Sequence, residues 1–240
     1  MRRNTSRVQP GLFVAAIAAS IVTATLVAAP ATSVSSQATS DTVSRFLESG
    51  RPALKAYRAR RHLEASSRGG KMKAQLDAET KLLPDGAFSF EILNESGSSL
   101  LRQRVLRAAL LEEQDNHNNA KLADSDFTRE NYDFLVQESA RDSDLVRISL
   151  APRRKSQLLI DGAAFVRRDD ADLVRIQGVL SKRPSFWTRK VAITRHYARV
   201  DGVRVPTEVR IDADVLLVGD SAFDMTYQYL AINGRSIGTN

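Results

Sequence analysis

The chain has 240 residues, 42% of them hydrophobic, with 35 Lys and Arg against 28 Asp and Glu and a net charge of +7. It has no cysteine, which excludes a disulfide-stapled scaffold and a lipoprotein acylated at a lipobox Cys, so stability must come from an apolar core. The basic excess is mild and scattered; it suits an anionic envelope surface and gives no ground for a nucleic-acid partner.

The first 31 residues read as a secretory signal. Arg2, Arg3 and Arg7 form a basic head, Gly11 to Ala29 is an uncharged Ala-rich run, and Ala29-Pro30-Ala31 ends in small residues at the spacing signal peptidase prefers. Ser36-Gln37-Ala38 offers a second site, so cleavage is expected between Ala31 and Ala38. Left uncleaved, the run would anchor the chain, because it is nearly long enough to span a bilayer. Cleavage lowers Lys and Arg from 35 to 32 against 28 and leaves about 200 residues, enough for one domain. The expected organisation is a signal over 1–31, a flexible Ser- and Thr-rich lead-in over 32–40, and a single domain over 41–240, exported, periplasmic and soluble once cleaved.

Asp41 to Ser49 predicts a short helix with Val43, Phe46 and Leu47 on one face and Gly50 as its stop. Three strands follow by alternation: Tyr57, Ala59, Arg61 and Leu63; Met72, Ala74, Leu76 and Ala78; Phe88, Phe90 and Ile92. Gly69-Gly70 and Pro84-Asp85-Gly86 supply the turns. From Ser98 to Gln114 the period changes to three to four, with Leu101, Val105, Ala108 and Ala109 as the stripe and Leu100, Leu106, Leu110 and Leu111 widening it, which predicts an amphipathic helix. After a loop or short helix over Ala120 to Glu130, strands resume. They carry Tyr132, Phe134 and Val136; Val146, Ile148 and Leu150; Leu158 to Ile160, then, after an Asp161-Gly162 turn, Ala163 to Arg168; Val174, Ile176 and Leu180; and Trp187 to Val200. Asp201-Gly202 reads as a two-residue hairpin turn into Val203 to Val218, and Phe223, Met225, Tyr227 and Tyr229 form a last aromatic face. The fold class is mainly β: a curved antiparallel sheet of about ten strands, an incomplete barrel, with helices over its concave face.

Each group that could carry chemistry has a plainer reading. His62 and Glu64 share a strand face without a third metal ligand nearby, and His117 and His196 read as exposed. Asp169, Asp170 and Asp172 lack calcium-loop spacing and suit a hairpin turn. Arg153, Arg154 and Lys155 form a basic turn able to meet a membrane or an acidic partner, and Phe186 and Trp187 either line a pocket mouth or plug the sheet end. No nucleophile elbow, phosphate loop or zinc helix is present, so no catalytic residue, metal or cofactor is assigned.

The element order resembles the lipoprotein-carrier group of envelope proteins, the LolA, LolB and RseB types. Arg147 to Ile160 (RISLAPRRKSQLLI) resembles that group's strand, proline turn and next strand, while Leu173 to Trp187 (LVRIQGVLSKRPSFW), Arg195-His-Tyr197, Gly202-Val-Arg-Val-Pro206 and Met225-Thr-Tyr-Gln-Tyr229 resemble bacterial envelope proteins placed near it. The resemblance implies an apolar groove for acyl chains of a lipid or lipoprotein. The groove residues expected are Phe88, Phe90, Phe134, Phe186, Trp187, Met225 and Tyr227, and Leu101, Val105 and Ala108 are expected on the inner side of a lid helix. An envelope protein or an anionic membrane surface is the further partner expected. Two alternatives stay open: an interaction or sensing module whose sheet face is a filled core, and, more weakly, an envelope hydrolase.

Overall fold

The computed structural model describes residues 36–50, 52–118, 125–137, 144–183, 188–215 and 219–238. The first helix, α1, spans Ser36–Glu48. The strands β1 (Tyr57–Ser67), β2 (Met72–Leu82) and β3 (Phe88–Gly97) follow. One continuous helix comes next, made of α2 (Ser99–Leu101), a π-helical turn (Arg102–Leu106) and α3 (Arg107–Asn118). Then come β4 (Tyr132–Gln137), β5 (Leu145–Pro152), β6 (Ile160–Arg167), β7 (Leu173–Leu180), β8 (Thr188–Val200), β9 (Val203–Val215), β10 (Gly219–Ile232) and β11 (Arg235–Ser236).

All eleven strands join one antiparallel sheet in the order β3-β2-β1-β10-β9-β8-β7-β6-β5-β4, with β11 beside β10. It does not close into a barrel. From β4 to β10 the chain is a meander of sequential neighbours, and β10 then pairs with β1. Since β3 and β4 are the two edges, the segment between them must cross a face of the sheet. That is why the helix of 99–118 lies over the sheet.

Alternation gives the sheet one dry face. Across the pairing ladders Val136, Ile148, Ala164, Ile176, Arg195, Val209, Met225, Leu63 and Leu76 stand in one row. The next row runs through Phe134, Leu150, Gly162, Gly178, Ile193, Ile211, Phe223, Ala65 and Ala74. Gly162 and Gly178 oppose each other, and a Cβ at Gly162 would sit 2.5 Å from the Gly178 Cα. Their bare backbones allow the sheet to bend towards its dry side. Bulges bend it further: the ladder shifts at Arg58/Ala59, Asp77/Ala78, Phe165/Val166 and His196/Tyr197. At the last of these Pro206, which has no N–H to give a ladder, faces Tyr197.

Three apolar clusters occupy the dry side. The first joins Val43 and Phe46 of α1 to Tyr132, Ile148, Leu150, Leu173 and Ile176. The second joins Leu101, Leu106 and Leu110 of the covering helix to Leu63, Leu76, Val209, Phe223 and Met225. The third gathers Tyr57, Phe88, Val205, Tyr229 and Ile232 at one sheet end.

Several local expectations shift. Helix α1 begins at Ser36, so the lead-in expected to 40 is helical over its last residues. Once Val43 and Phe46 dock, extending the helix backward adds a hydrogen bond per residue fixed, at little cost. The long helix runs to Asn118 instead of stopping at Gln114, and Asp161 and Gly162 form no turn but lie inside β6, where Asp161 pairs with Val179 and Gly162 with Leu150 and Gly178. Ser98 closes its first turn through its carbonyl, which accepts from the Arg102 N–H at 3.0 Å, with no side-chain cap bond. Asp201 and Gly202 have φ of 49° and 78°, the left-handed pair that a tight hairpin turn needs. The signal-like segment and Phe186 and Trp187 lie outside the described residues.

Candidate functional site

Strand β1 presents Tyr57, Ala59, Arg61, Leu63 and Ala65 to the dry face, all buried. Arg61 is the exception in kind: a guanidinium only 2% exposed among apolar neighbours. Its charge is met from the covering helix. Arg61 donates through Nη1 and Nη2 to the Glu113 carboxylate at 2.5 and 2.9 Å, a bidentate pair. Nη2 also donates to the Tyr57 hydroxyl, and Nη1 lies 3.8 Å from the Met225 sulfur. Aromatic faces enclose the rest, with the guanidinium carbon 4.6 Å from the Tyr227 ring centre, 5.4 Å from Phe88 and 5.7 Å from Tyr57. Burial alone would lower the Arg61 pKa, but Tyr227 and Glu113 hold it above its ordinary value. Burial raises the Tyr57 and Tyr229 hydroxyls and pushes Tyr227 up to about 12.

The covering helix is fastened at further points. Gln114 donates to the Phe88 carbonyl at 3.1 Å. His117 stacks on the Phe88 ring at 5.2 Å, and burial lowers its pKa. At the other end Glu95 accepts from Arg102 at 2.6 Å and Arg107 at 2.9 Å. Between these polar fastenings the apolar contact is made by Leu101, Leu106 and Leu110, which are 7%, 0% and 1% exposed. The π turn explains this choice. Its extra residue advances the stripe, so Leu106 takes the place Val105 would hold in a regular helix. Val105 and Ala108 are half-buried, and Leu100 and Leu111 face outward.

Helix α1 has its own clamp. Asp172 is 5% exposed, accepts from Arg199 at 2.9 Å and lies 3.7 Å from Arg204. Arg199 also donates to the Ser49 carbonyl and Arg204 to the Ser49 hydroxyl, which fixes the end of α1. Burial lowers the Arg204 pKa, against the Asp172 charge. Asp172, expected as a turn residue, thus also anchors α1 through Arg199 and Arg204. Turn chemistry is nevertheless present, since the Asp172 N–H donates to Asp170 at 2.9 Å.

The structure brings together some of the expected groove residues and separates others. Phe88, Met225 and Tyr227 surround Arg61. Phe90 is half-buried beside them. Phe134 faces the same dry side but sits at the opposite edge, with its ring 6.1 Å from Phe46 of α1. Arg61, Glu113, Asp172 and Arg195 were absent from the expected site. For Arg61 and Arg195 the signal was an arginine in the apolar phase of a strand; for Glu113 no local signal exists.

The outer face is polar. His62 bridges two carboxylates, Nδ1 to Asp77 at 2.6 Å and Nε2 to Glu64 at 3.2 Å, and these hydrogen bonds, Asp77 first, raise its pKa. No group of three His, Cys, Asp or Glu among the described residues is placed to hold a metal ion. A groove of about 440 Å³ opens beside His62, lined by Arg60, Asp77, Leu93, Thr226 and Gln228. In the basic turn Arg153 donates to the Arg129 carbonyl at 3.0 Å, Arg154 donates to the Asn131 side chain, and Lys155 is exposed. No helix among the described residues is long and apolar enough to cross a membrane.

No family model and no curated protein matches the chain. Solved structures do. A DUF1329 family protein from Desulfovibrio piger is 13% identical over 85% of this chain and 94% of that one, with a TM-score of 0.39. A LolA superfamily protein from Nitrosomonas europaea is 13% identical over 83% and 95%, with a TM-score of 0.42. A putative outer membrane lipoprotein-sorting protein domain from Vibrio parahaemolyticus is 8% identical over 80% and 92%, with a TM-score of 0.37. The names these neighbours bear include that of the lipoprotein-carrier group which the sequence resembles.

Proposed function

We propose that this chain is a periplasmic, non-enzymatic binding protein that takes acyl chains of a lipid or lipoprotein between the dry face of its sheet and the helix of 99–118, here in its closed state. The observation that carries this reading is the Arg61–Glu113 pair. A core meant only to be filled is served as well or better by apolar side chains of similar volume. An arginine whose carboxylate is supplied by the covering helix makes that helix a separable part, held by polar fastenings around a short apolar contact. Opening would expose Leu63, Leu76, Phe223, Met225 and Tyr227, an apolar bed suited to acyl chains.

A second reading has its own observation. Leu101, Leu106 and Leu110 are buried as fully as fixed core residues, which favours an interaction module with a filled interior. Hydrogen exchange separates the two. As a gate, the helix of 99–118 exchanges faster than β1 and β10, and added palmitate slows it, because a ligand shifts the population toward the state it binds. Native mass spectrometry of the chain from its own envelope then shows co-purifying lipid. Slow exchange that palmitate leaves unchanged, with a clean apo mass, assigns the module instead.

A further inference from the structure

The centre of the dry face holds a second guanidinium. Arg195 on β8 faces Ile176 of β7 and Val209 of β9. Ile176 belongs to the cluster beneath α1, and Val209 to the cluster beneath the covering helix. Arg195 therefore marks the seam between the two covered halves. Its Nε is enclosed and has no hydrogen-bond partner, while the residue as a whole stays partly accessible. The Tyr197 and Tyr227 phenols, neutral near pH 7, and the Glu113 carboxylate are its polar neighbours. The Glu113 carboxylate is already committed to Arg61 through both oxygens. Among the described residues no carboxylate lies within ion-pair distance of Arg195, so the middle of the dry face carries two guanidiniums against one acid.

A planar guanidinium with an enclosed, unpartnered Nε on a mostly apolar floor is a ready receptor for a carboxylate or phosphate, which it can meet with two parallel hydrogen bonds. Its cost in the empty protein is that of a poorly compensated charge, recovered when an anion arrives. The position suits an amphiphile. A chain lying under the helix of 99–118, over Val209 and Met225, brings its polar end to the seam, where Tyr197 and Tyr227 offer further hydroxyl groups. We propose that Arg195 is the head-group site of this protein and that its ligand is an anionic amphiphile with a carboxylate or phosphate beside its acyl chain. This rests on the acyl-binding reading above.

The test measures binding of palmitate, hexadecyl phosphate and hexadecanol, each below its aggregation limit, to the full chain and to Arg195→Met and Arg195→Lys. The wild-type protein should bind the anionic probes about ten- to a hundredfold tighter than hexadecanol, the range of a hydrogen-bonded charge. Arg195→Met should erase that preference. Arg195→Lys, which keeps the charge without the fork, should retain part of it. Tighter palmitate points to a free fatty acid and tighter hexadecyl phosphate to a phosphorylated head group; either supports the proposal. Equal wild-type binding of all three probes overturns the head-group site while acyl binding stands, as does a preference that survives Arg195→Met. Binding of none overturns both.

Discussion

At the scale of single residues the Arg61–Glu113 pair decides most. Arg61 is enclosed and Glu113 is 28% exposed at its side chain, so removing the acid leaves a buried charge alone. Glu113→Gln should cost about 3 kcal/mol in urea denaturation, whereas Arg61→Met with Glu113→Gln should recover most of it. If the double change costs as much as the single one, the pair is not the unit described. His62 makes the opposite kind of contribution, on the wet face. Its folded pKa is raised from 6.5 by Asp77 and Glu64, so its protonated form is favoured in the folded state. That stability is fully present below about pH 6.5 and fades as pH rises through the raised value. In His62→Gln the urea midpoint should lose this decline, measured from about pH 5 to about pH 9. An unchanged profile would assign the pH dependence elsewhere. Arg61 was legible in sequence as a charge in the apolar phase of β1. Glu113 was not, because the two are 52 residues apart and meet only when the helix crosses the sheet.

At the scale of elements the covering helix is the informative case. Its presence follows from a period of three to four, but its phase does not, because the π turn at Arg102–Leu106 shifts it by a residue. Leu106→Ala should therefore cost about 2–5 kcal/mol, as an enclosed leucine does, while Leu111→Ala, at 54% exposure, should stay within about 0.5 kcal/mol. Urea midpoints decide, and equal costs would place the helix in a different phase. Helix α1 is held differently. Its Phe46 packs against Phe127 and Phe134, and the Asp172 cluster grips its last turn. The sequence announced the Val43 and Phe46 stripe but not the clamp, whose arginines lie on a later hairpin.

Across the whole molecule curvature is the controlling property, since it turns a sheet into a bed that helices can cover. Gly162 and Gly178 permit it where two backbones approach closely. A Cβ at Gly178 would lie 2.4 Å from the Asp161 carbonyl oxygen and 2.8 Å from the Gly162 Cα. Gly178→Ala should cost about 1–3 kcal/mol through forced separation of β6 and β7, read as a lower urea midpoint. An unchanged midpoint would mean that the strands have room to spare there. The open edges at β3 and β4 follow from topology: β10 pairs with β1, so three strands extend to one side and seven to the other.

The sequence by itself determined the fold class, nearly every strand, the existence of both helices and the dry and wet faces. These follow from local periods of two and of three to four, which neighbouring residues set together. It also placed Phe88, Phe90, Phe134, Met225 and Tyr227 on the dry side, because alternation assigns a face without any knowledge of the partner strand. Only the tertiary structure decided which of them stand around Arg61. Phe134 and Phe88 lie on opposite edges of the same sheet, and strand order is fixed by long-range pairing that no local pattern encodes. It alone joined Glu113 to Arg61 and Asp172 to Arg199, since a buried charge finds its partner through the crossing of distant elements, not through spacing along the chain.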